Sequence, residues 1–255
     1  MRVFAATLPI LLLHIAFTAH ADAPGIPTLY VIGDSTAASY ESDRSPLTGW
    51  AQVLGERFDP NQLKVDNRAR SGRSSKSFLD EGAWSEIESA LKPGDYVMIQ
   101  FGHNDSKKDD PNRFTDPQTT YKQHLRRYVE TTRAKGATPI LLTSINRCKW
   151  ESETATVDTM GGYPEAVREL AAELKVPLID LHRATKELYE SLGQVKTREL
   201  FMYLDKGASP NYPEGRDDGT HLQEKGARAI SALAVDAIQK QNLPMASALL
   251  PPPTP

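Results

Sequence analysis

The stretch TLYVIGDST at residues 28–36 decides the fold. Its apolar residues run without interruption up to Gly33, which is typical of a strand buried on both faces of a parallel sheet. Three polar residues of helix-starting types follow at once. We therefore expect a strand over residues 28–32 and then a helix whose amino end holds the Ser35 hydroxyl at the edge of the sheet.

The rest of the chain repeats this alternation of short apolar runs and amphipathic stretches, which predicts an α/β fold with a parallel sheet covered by helices. The predicted strands are 28–32, 64–67, 96–101, 139–145 and 176–180. The predicted helices are 49–58, 84–91, 117–135, 164–174, 182–192 and 221–239. Residues 207–219 show no periodicity and are predicted to form a long loop.

The two ends of the chain differ in composition from the rest. Residues 1–21 contain one basic residue, an apolar run and then small residues, which predicts a signal peptide. We therefore expect a secreted or periplasmic protein without a membrane anchor after cleavage. Residues 22–245 are predicted to form one domain, and the proline-rich residues 246–255 a mobile C-terminal tail.

Composition excludes several classes of protein. The chain carries 30 basic and 33 acidic residues, a formal net charge of −3, which argues against nucleic-acid binding. Cys148 is the single cysteine, so no intrachain disulfide is expected, and its thiol is predicted to be a small apolar filler. Metal-ligand, P-loop and dinucleotide motifs are absent from the sequence, so we expect no metal and no cofactor. The oligomeric state stays open.

Separated polar residues supply the parts of a serine esterase. Ser35 is the predicted nucleophile, and Asp218 is predicted to orient His221, the general base and then acid, from three residues away on one face of a helical turn. Asn104 is expected to donate to an oxyanion, together with the backbone N–H of Gly72. Because ligands bind beyond the carboxyl ends of parallel strands, these groups are expected to meet in one crevice.

Each of these groups also has a structural explanation when it is taken alone. Ser35 and Asp218 are suitable helix caps, and Asn104 is a suitable turn residue. His103, beside Asn104, is predicted to be a structural turn residue rather than a metal ligand. Their order and their placement at strand ends favour catalysis over these separate explanations.

Four blocks, GDST (33–36), GRSS (72–75), FGHND (101–105) and DGTH (218–221), resemble those of the SGNH branch of the GDSL hydrolases. Within it they look like the rhamnogalacturonan acetylesterase family, and Thr36 stands where lipase-like members carry Leu. The resemblance implies a flavodoxin-like three-layer α/β/α sandwich with a five-stranded parallel sheet. It implies a cofactor-free triad of Ser35, Asp218 and His221, with an oxyanion hole from the Ser35 and Gly72 amides and the Asn104 side chain.

The same resemblance implies that the substrate is an acetylated pectic oligo- or polysaccharide, deacetylated through an acetyl-serine intermediate. Arg73, in a basic run that includes Arg68, Arg70 and Lys76, is predicted to bind uronate carboxylates. Trp150 and Tyr212 are predicted to stack on sugar rings. For these residues, a solvated surface and core packing are the alternatives.

Three other functions remain compatible with the sequence. The first is a lipase, lysophospholipase or thioesterase of the same superfamily, which the polar character of residues 207–219 disfavours. The second is an esterase of the acetylxylan type. The third is a carbohydrate-binding module that kept the fold and lost catalysis, although all five catalytic positions hold competent residue types.

Overall fold

The computed structural model describes residues 25–251, so the predicted signal peptide and residues 252–255 of the predicted tail lie outside the described residues. Its centre is a sheet of five parallel strands in the order β2-β1-β3-β4-β5. The strands are β1 (Thr28–Gly33), β2 (Lys64–Asn67), β3 (Tyr96–Gln100), β4 (Thr138–Leu142) and β5 (Leu178–Ile179). The five-stranded parallel sheet is therefore confirmed, with β4 and β5 shorter than predicted.

The α-helices cover both faces of this sheet. They are α1 (Ser75–Asp80), α2 (Ala83–Ala90), α3 (Thr120–Ala134), α4 (Tyr163–Leu174), α5 (Leu181–Arg198) and α6 (Glu224–Lys240). Side chains alternate along β1, so that Tyr30 and Ile32 pack in the core with α1 to α4, whereas Leu29 and Val31 pack in the core with α5 and α6. The predicted three-layer α/β/α sandwich is confirmed.

The strand order fixes where a ligand can bind. The chain crosses from β1 to β2 on one side of the sheet and from β3 to β4 on the other, so the loops after β1 and β3 diverge and leave a crevice between them. Gly33 pairs with Gln100, which brings the ends of β1 and β3 side by side. The segments that carry Ser35 and Asn104 therefore start at the same edge of the sheet.

Residues 49–58 do not form the predicted helix but two short 3-10 segments, Trp50–Gln52 and Leu54–Arg57. The backbone here is committed to tertiary contacts: the Trp50 N–H donates to the Thr36 carbonyl at 2.9 Å, and the indole N–H donates to Gln100. A Cβ on Gly49 would lie 2.1 Å from the Ala38 carbonyl oxygen. The apolar spacing identified the buried side chains, whereas these close contacts determine the backbone conformation.

Helix α1 was not predicted, because its short sequence is rich in serine. It begins with a capping box in which the Ser74 side chain accepts from the Ser77 N–H and the Ser77 hydroxyl accepts from the Ser74 N–H. The cap satisfies backbone donors that would otherwise be buried without partners.

The predicted loop 207–219 and the predicted helix start at residue 221 are both corrected by the structure. An antiparallel hairpin forms from β6 (Phe201–Leu204) and β7 (Arg216–Leu222), and helix α6 begins only at Glu224. Phe201 pairs with Leu222 while Met202 pairs with Asp218, so residues 219–221 bulge out of the ladder. Asp218 therefore lies directly before a bulge that carries His221, and the two residues do not share the face of a helical turn.

The predicted mobile tail begins too early at residue 246. Met245 and Ala248 are buried in the core shared with α5 and α6. Leu249 forms an isolated antiparallel β-bridge with Phe58, and the Leu250 N–H donates to the Arg57 carbonyl at 2.9 Å. The chain is therefore packed onto the domain as far as Leu250. Over residues 25–251, none of the helices has the length and apolar character that crossing a membrane requires.

Candidate active site

Ser35 lies in a single turn after β1 and not at the start of a helix, contrary to the prediction. The N–H groups of Ala37 and Ala38 both donate to the Asp34 carbonyl at 3.1 Å, and the chain then becomes extended. The Tyr40 hydroxyl donates to the Ser35 carbonyl at 2.7 Å. Ser35 is 7% exposed, so only its reactive edge reaches the crevice.

The predicted triad is assembled from both ends of the chain. His221 Nε2 lies 3.0 Å from Ser35 Oγ, and His221 Nδ1 lies 2.8 Å from Asp218 Oδ2. One ring nitrogen thus faces the hydroxyl and the other faces the carboxylate. This geometry allows the imidazole to take the serine proton while the carboxylate fixes its tautomer.

The Asp218 carboxylate is held ionised by several donors. Its Oδ1 accepts from the backbone N–H groups of Thr220 and His221, at 2.8 and 3.0 Å. Its Oδ2 accepts from the His221 ring and from the Arg216 guanidinium, whose Nη2 lies at 2.6 Å. Burial by itself raises the pKa of Asp218, but the hydrogen bonds and charge of His221 hold that pKa well below its usual range.

The bulge that carries His221 is fixed by Gly219. The Cys148 N–H donates to the Gly219 carbonyl at 2.8 Å. A Cβ on Gly219 would lie 2.4 Å from the Tyr203 hydroxyl oxygen and 2.9 Å from the Cys148 carbonyl oxygen. Only glycine fits this contact, so Gly219 is part of the geometry that places His221 beside Asp218.

A buried pair lies under the nucleophile. Asp34 accepts from the Thr36 N–H at 2.9 Å and from the Thr36 hydroxyl at 2.8 Å, and His103 Nδ1 lies 3.3 Å from its other oxygen. Burial lowers the pKa of His103 despite the opposing charge of Asp34, so its ring is neutral at pH 7. The pair ties the turn after β1 to the turn after β3.

The expected oxyanion donors lie around this turn. The Asn104 amide donates to the Arg73 carbonyl at 3.0 Å, and the Arg113 guanidinium donates to the Asn104 Oδ1 at 3.4 Å. A side-chain amide has two N–H groups, so a second one is available to a substrate. Within residues 25–251, neither the Ser35 N–H nor the Gly72 N–H donates a hydrogen bond. Gly72 has φ +80, a conformation that favours glycine.

The three predicted substrate residues have other contacts. Arg73 forms an ion pair with Glu81 at 2.8 Å, on the surface. Trp150 is half-buried and packs against the core shared with α5 and α6. The Tyr212 hydroxyl donates to the Arg44 carbonyl at 3.1 Å. Substrate binding by these side chains stays a prediction.

Arg216 is a site residue that the sequence analysis missed. Its Nε and Nη2 both contact Asp218 Oδ2, and its guanidinium carbon lies 5.3 Å from the centre of the Tyr212 ring. Arg216 and Asp218 have the two-residue spacing of side chains on one face of a strand. The segment was interpreted as a loop, so that spacing carried no signal.

A cleft of about 580 Å³ opens between the loops that follow β1 and β2. Many of its lining residues are of polar or charged types, among them Tyr40, Arg44, Ser71 and Arg73, although apolar atoms make up more of the wall surface than polar atoms. Over residues 25–251, no cluster of three or more His, Cys, Asp or Glu side chains could hold a metal ion.

Comparisons with known proteins agree with this geometry. The model of the GDSL-like Lipase/Acylhydrolase family matches residues 31–229, which include every residue of the relay. Rhamnogalacturonan acetylesterase RhgT from Bacillus subtilis (strain 168) is 40% identical over 217 residues, which cover 85% of this chain and 91% of RhgT.

Two solved structures extend the comparison. Protein YXIM_BACsu from Bacillus subtilis matches with a TM-score of 0.74 at 30% identity; the match covers 85% of this chain but 57% of that one. Axe2, an acetylxylan esterase from Geobacillus stearothermophilus, matches with a TM-score of 0.56 at 17% identity and covers 84% of this chain and 96% of Axe2. At that identity the likeness is one of fold alone.

Proposed function

The chain belongs to the GDSL-like lipase/acylhydrolase family as a carbohydrate acetylesterase, and we propose that it removes acetyl groups from pectic polysaccharide of the rhamnogalacturonan type. The observation that carries the chemistry is the unbroken relay from Ser35 through His221 to Asp218. The choice of substrate is supported by the 40% identity to RhgT over 85% of this chain.

The reaction follows from the positions of these groups. Ser35 Oγ attacks the acetyl carbonyl while His221 Nε2 takes its proton, and the oxyanion is held by the N–H groups of Ser35 and Gly72 and the Asn104 amide. As the bond between the acetyl carbon and the sugar oxygen breaks, His221 returns the proton to that oxygen, which leaves as a sugar hydroxyl and leaves an acetyl ester on Ser35. Water activated by His221 then releases acetate, and no cofactor takes part in these steps.

Acetate release tests the nucleophile. The Ser35→Ala variant is expected to lose nearly all activity on acetylated rhamnogalacturonan, because it removes the hydroxyl oxygen that lies 3.0 Å from His221 Nε2. With wild-type enzyme, rapid quenching and mass spectrometry should find one acetyl group on the peptide that contains Ser35. Acetate release by the variant at the wild-type rate would overturn the mechanism.

A substrate panel tests the specificity. We expect kcat/KM to be higher on acetylated rhamnogalacturonan than on acetylxylan, and higher for acetyl than for octanoyl esters. A preference for xylan would make the enzyme an acetylxylan esterase, and a preference for octanoyl esters would make it a lipase or thioesterase. Binding of polymer without acetate release would leave only a binding module.

We also propose that the enzyme is exported, which is supported by the composition of residues 1–21 and by the size of a polymeric substrate. Cell fractionation and N-terminal sequencing of the mature protein test this. Cleavage after Ala21 is expected, and an intact N-terminus on cytoplasmic enzyme would contradict it.

A further inference from the structure

Arg147 is a half-buried cation at the carboxyl end of β4 that the proposed mechanism does not use. Over residues 25–251, no carboxylate oxygen lies within 4.0 Å of its guanidinium. The neighbouring basic run is different, because Arg68, Arg70 and Arg73 each form an ion pair with an acidic residue. Partial burial of a guanidinium without an acidic partner costs solvation free energy.

One end of the Arg147 guanidinium is anchored and the other is free. Its Nη1 donates to the Thr159 carbonyl at 3.0 Å and lies 3.5 Å from the Met160 sulfur. Among the described residues, Nε and Nη2 have no hydrogen-bond acceptor, and they are not sealed from solvent. Together they form the edge of the guanidinium that binds a carboxylate through two parallel hydrogen bonds.

The neighbours of Arg147 place it beside the crevice. Met160 packs beside Gly102, because a Cβ built on Gly102 would lie 3.3 Å from the Met160 terminal methyl carbon. Cys148 follows Arg147 in the chain, and its N–H donates a hydrogen bond to the Gly219 carbonyl at 2.8 Å. Gly219 lies in the bulge that carries His221. Arg147 therefore lies between the turn after β3 and the catalytic bulge. The cleft of about 580 Å³ lies on the other side, towards β2.

Electrostatics at this position favour an anionic ligand. Burial lowers the pKa of Arg147, and the charge of Asp34 opposes that effect. Asp34 itself is already satisfied by the N–H and hydroxyl of Thr36 and by His103, so it does not need Arg147 as a hydrogen-bond partner. The side chain keeps its charge, and its free donors point to an acceptor that is not part of the chain.

We propose that Arg147 forms a subsite for the carboxylate of a uronate residue, next to the sugar whose acetyl group reaches Ser35. This inference rests on the proposed pectic substrate and assigns the recognition of its charge to one side chain. The polymer would then cross the carboxyl edge of the sheet, from the cleft at β1 and β2 to Arg147 at β4.

The test compares kcat/KM on an acetylated, uronate-containing oligosaccharide with kcat/KM on the same oligosaccharide after methyl esterification of its uronates. Wild-type enzyme is expected to prefer the charged form by about 10- to 100-fold, the range of a charge-assisted hydrogen-bonded pair. In Arg147→Gln the ratio of the two kcat/KM values should fall towards one. Arg147→Lys should keep part of the preference, because a lysine retains the positive charge but not the two parallel N–H donors of a guanidinium. Lys149→Gln, the matched control, removes an exposed charge from the same loop and should keep the wild-type ratio.

A ratio of kcat/KM values in Arg147→Gln equal to that of wild type would overturn the proposal. An equal loss of kcat/KM on the charged and the methyl-esterified oligosaccharide would also overturn it, because Arg147 would then have a structural role only. Thermal melting of each variant separates misfolding from altered recognition. Inhibition of 4-nitrophenyl acetate hydrolysis by galacturonate, with galactose as the neutral reference, gives an independent readout. If wild-type enzyme deacetylates no pectic substrate, the proposed function fails, while weaker inhibition of Arg147→Gln by galacturonate alone would still establish the subsite.

Discussion

Replacing Asn104 with alanine isolates the contribution of the oxyanion hole. The Asn104 side-chain amide has two N–H groups, and one of them donates to the Arg73 carbonyl at 3.0 Å. The variant therefore removes one donor of three from the oxyanion, the other two being the backbone N–H groups of Ser35 and Gly72. Loss of one such donor costs about 10²- to 10³-fold in kcat, or roughly 3–4 kcal/mol.

The upper end of that range is expected, because Asn104 also holds the carbonyl of Arg73, the residue after Gly72. The assay is steady-state hydrolysis of 4-nitrophenyl acetate, with kcat and KM determined separately. The loss should fall on kcat and leave KM nearly unchanged, because the oxyanion exists only in the transition state and the intermediate.

Arg113→Ala is the matched control for this variant. It removes the 3.4 Å contact to Asn104 Oδ1 without removing an oxyanion donor, so its loss in kcat should stay below about tenfold. The reasoning is refuted if Asn104→Ala loses less than about threefold in kcat, or if its defect lies entirely in KM. Circular dichroism melting curves check that both variants are folded.

Three further variants test other parts of the structure. Asp218→Asn should lower kcat by about 10⁴-fold on 4-nitrophenyl acetate, because the amide favours the wrong tautomer of His221; a loss under tenfold would refute the relay. Burial raises the pKa of Asp105 to about 7 against the opposing hydrogen bonds of Ser75 and Thr115, so the folded state holds a proton that the unfolded state releases near pH 4. The free energy of unfolding should therefore fall as pH rises from about 4 to 7, and urea titrations should show a flatter pH dependence for Asp105→Asn; equal slopes would contradict this. Gly219→Ala should lower kcat and the melting temperature together, because its Cβ meets the Tyr203 hydroxyl and the Cys148 carbonyl; wild-type values for both would show that the bulge tolerates a side chain.

The parallel sheet and the positions of the strand-end residues were predictable because the signals are local. An unbroken apolar run such as the one before Gly33 identifies a buried strand, and the carboxyl ends of parallel strands share one edge. Ser35 and Asn104 could therefore be assigned to one crevice before their separation in space was known. The resemblance of the four blocks added the family and the expectation of an acetylated pectic substrate.

The predictions that failed depend on contacts between distant parts of the chain. The Trp50 segment has the spacing of a helix, but its backbone N–H is used by Thr36 and its indole by Gln100, a residue 50 positions away. Helix α1 depends on a serine capping box, and its buried Ser75 accepts from Tyr128. Neither partner is visible in a window of local sequence.

The sequence by itself determined which residues are candidates for the chemistry and the edge of the sheet at which Ser35 and Asn104 lie, because residue type and strand continuity are properties of the chain. Only the tertiary structure decided how His221 reaches Ser35. The approach depends on the pairing of β6 with β7, on the bulge over residues 219–221 and on the contact between Gly219 and Cys148, 71 positions apart. The contacts of Arg147, the proposed uronate subsite, were also decided by the tertiary structure, since whether a guanidinium has an acidic partner from another segment is fixed only when distant segments pack together.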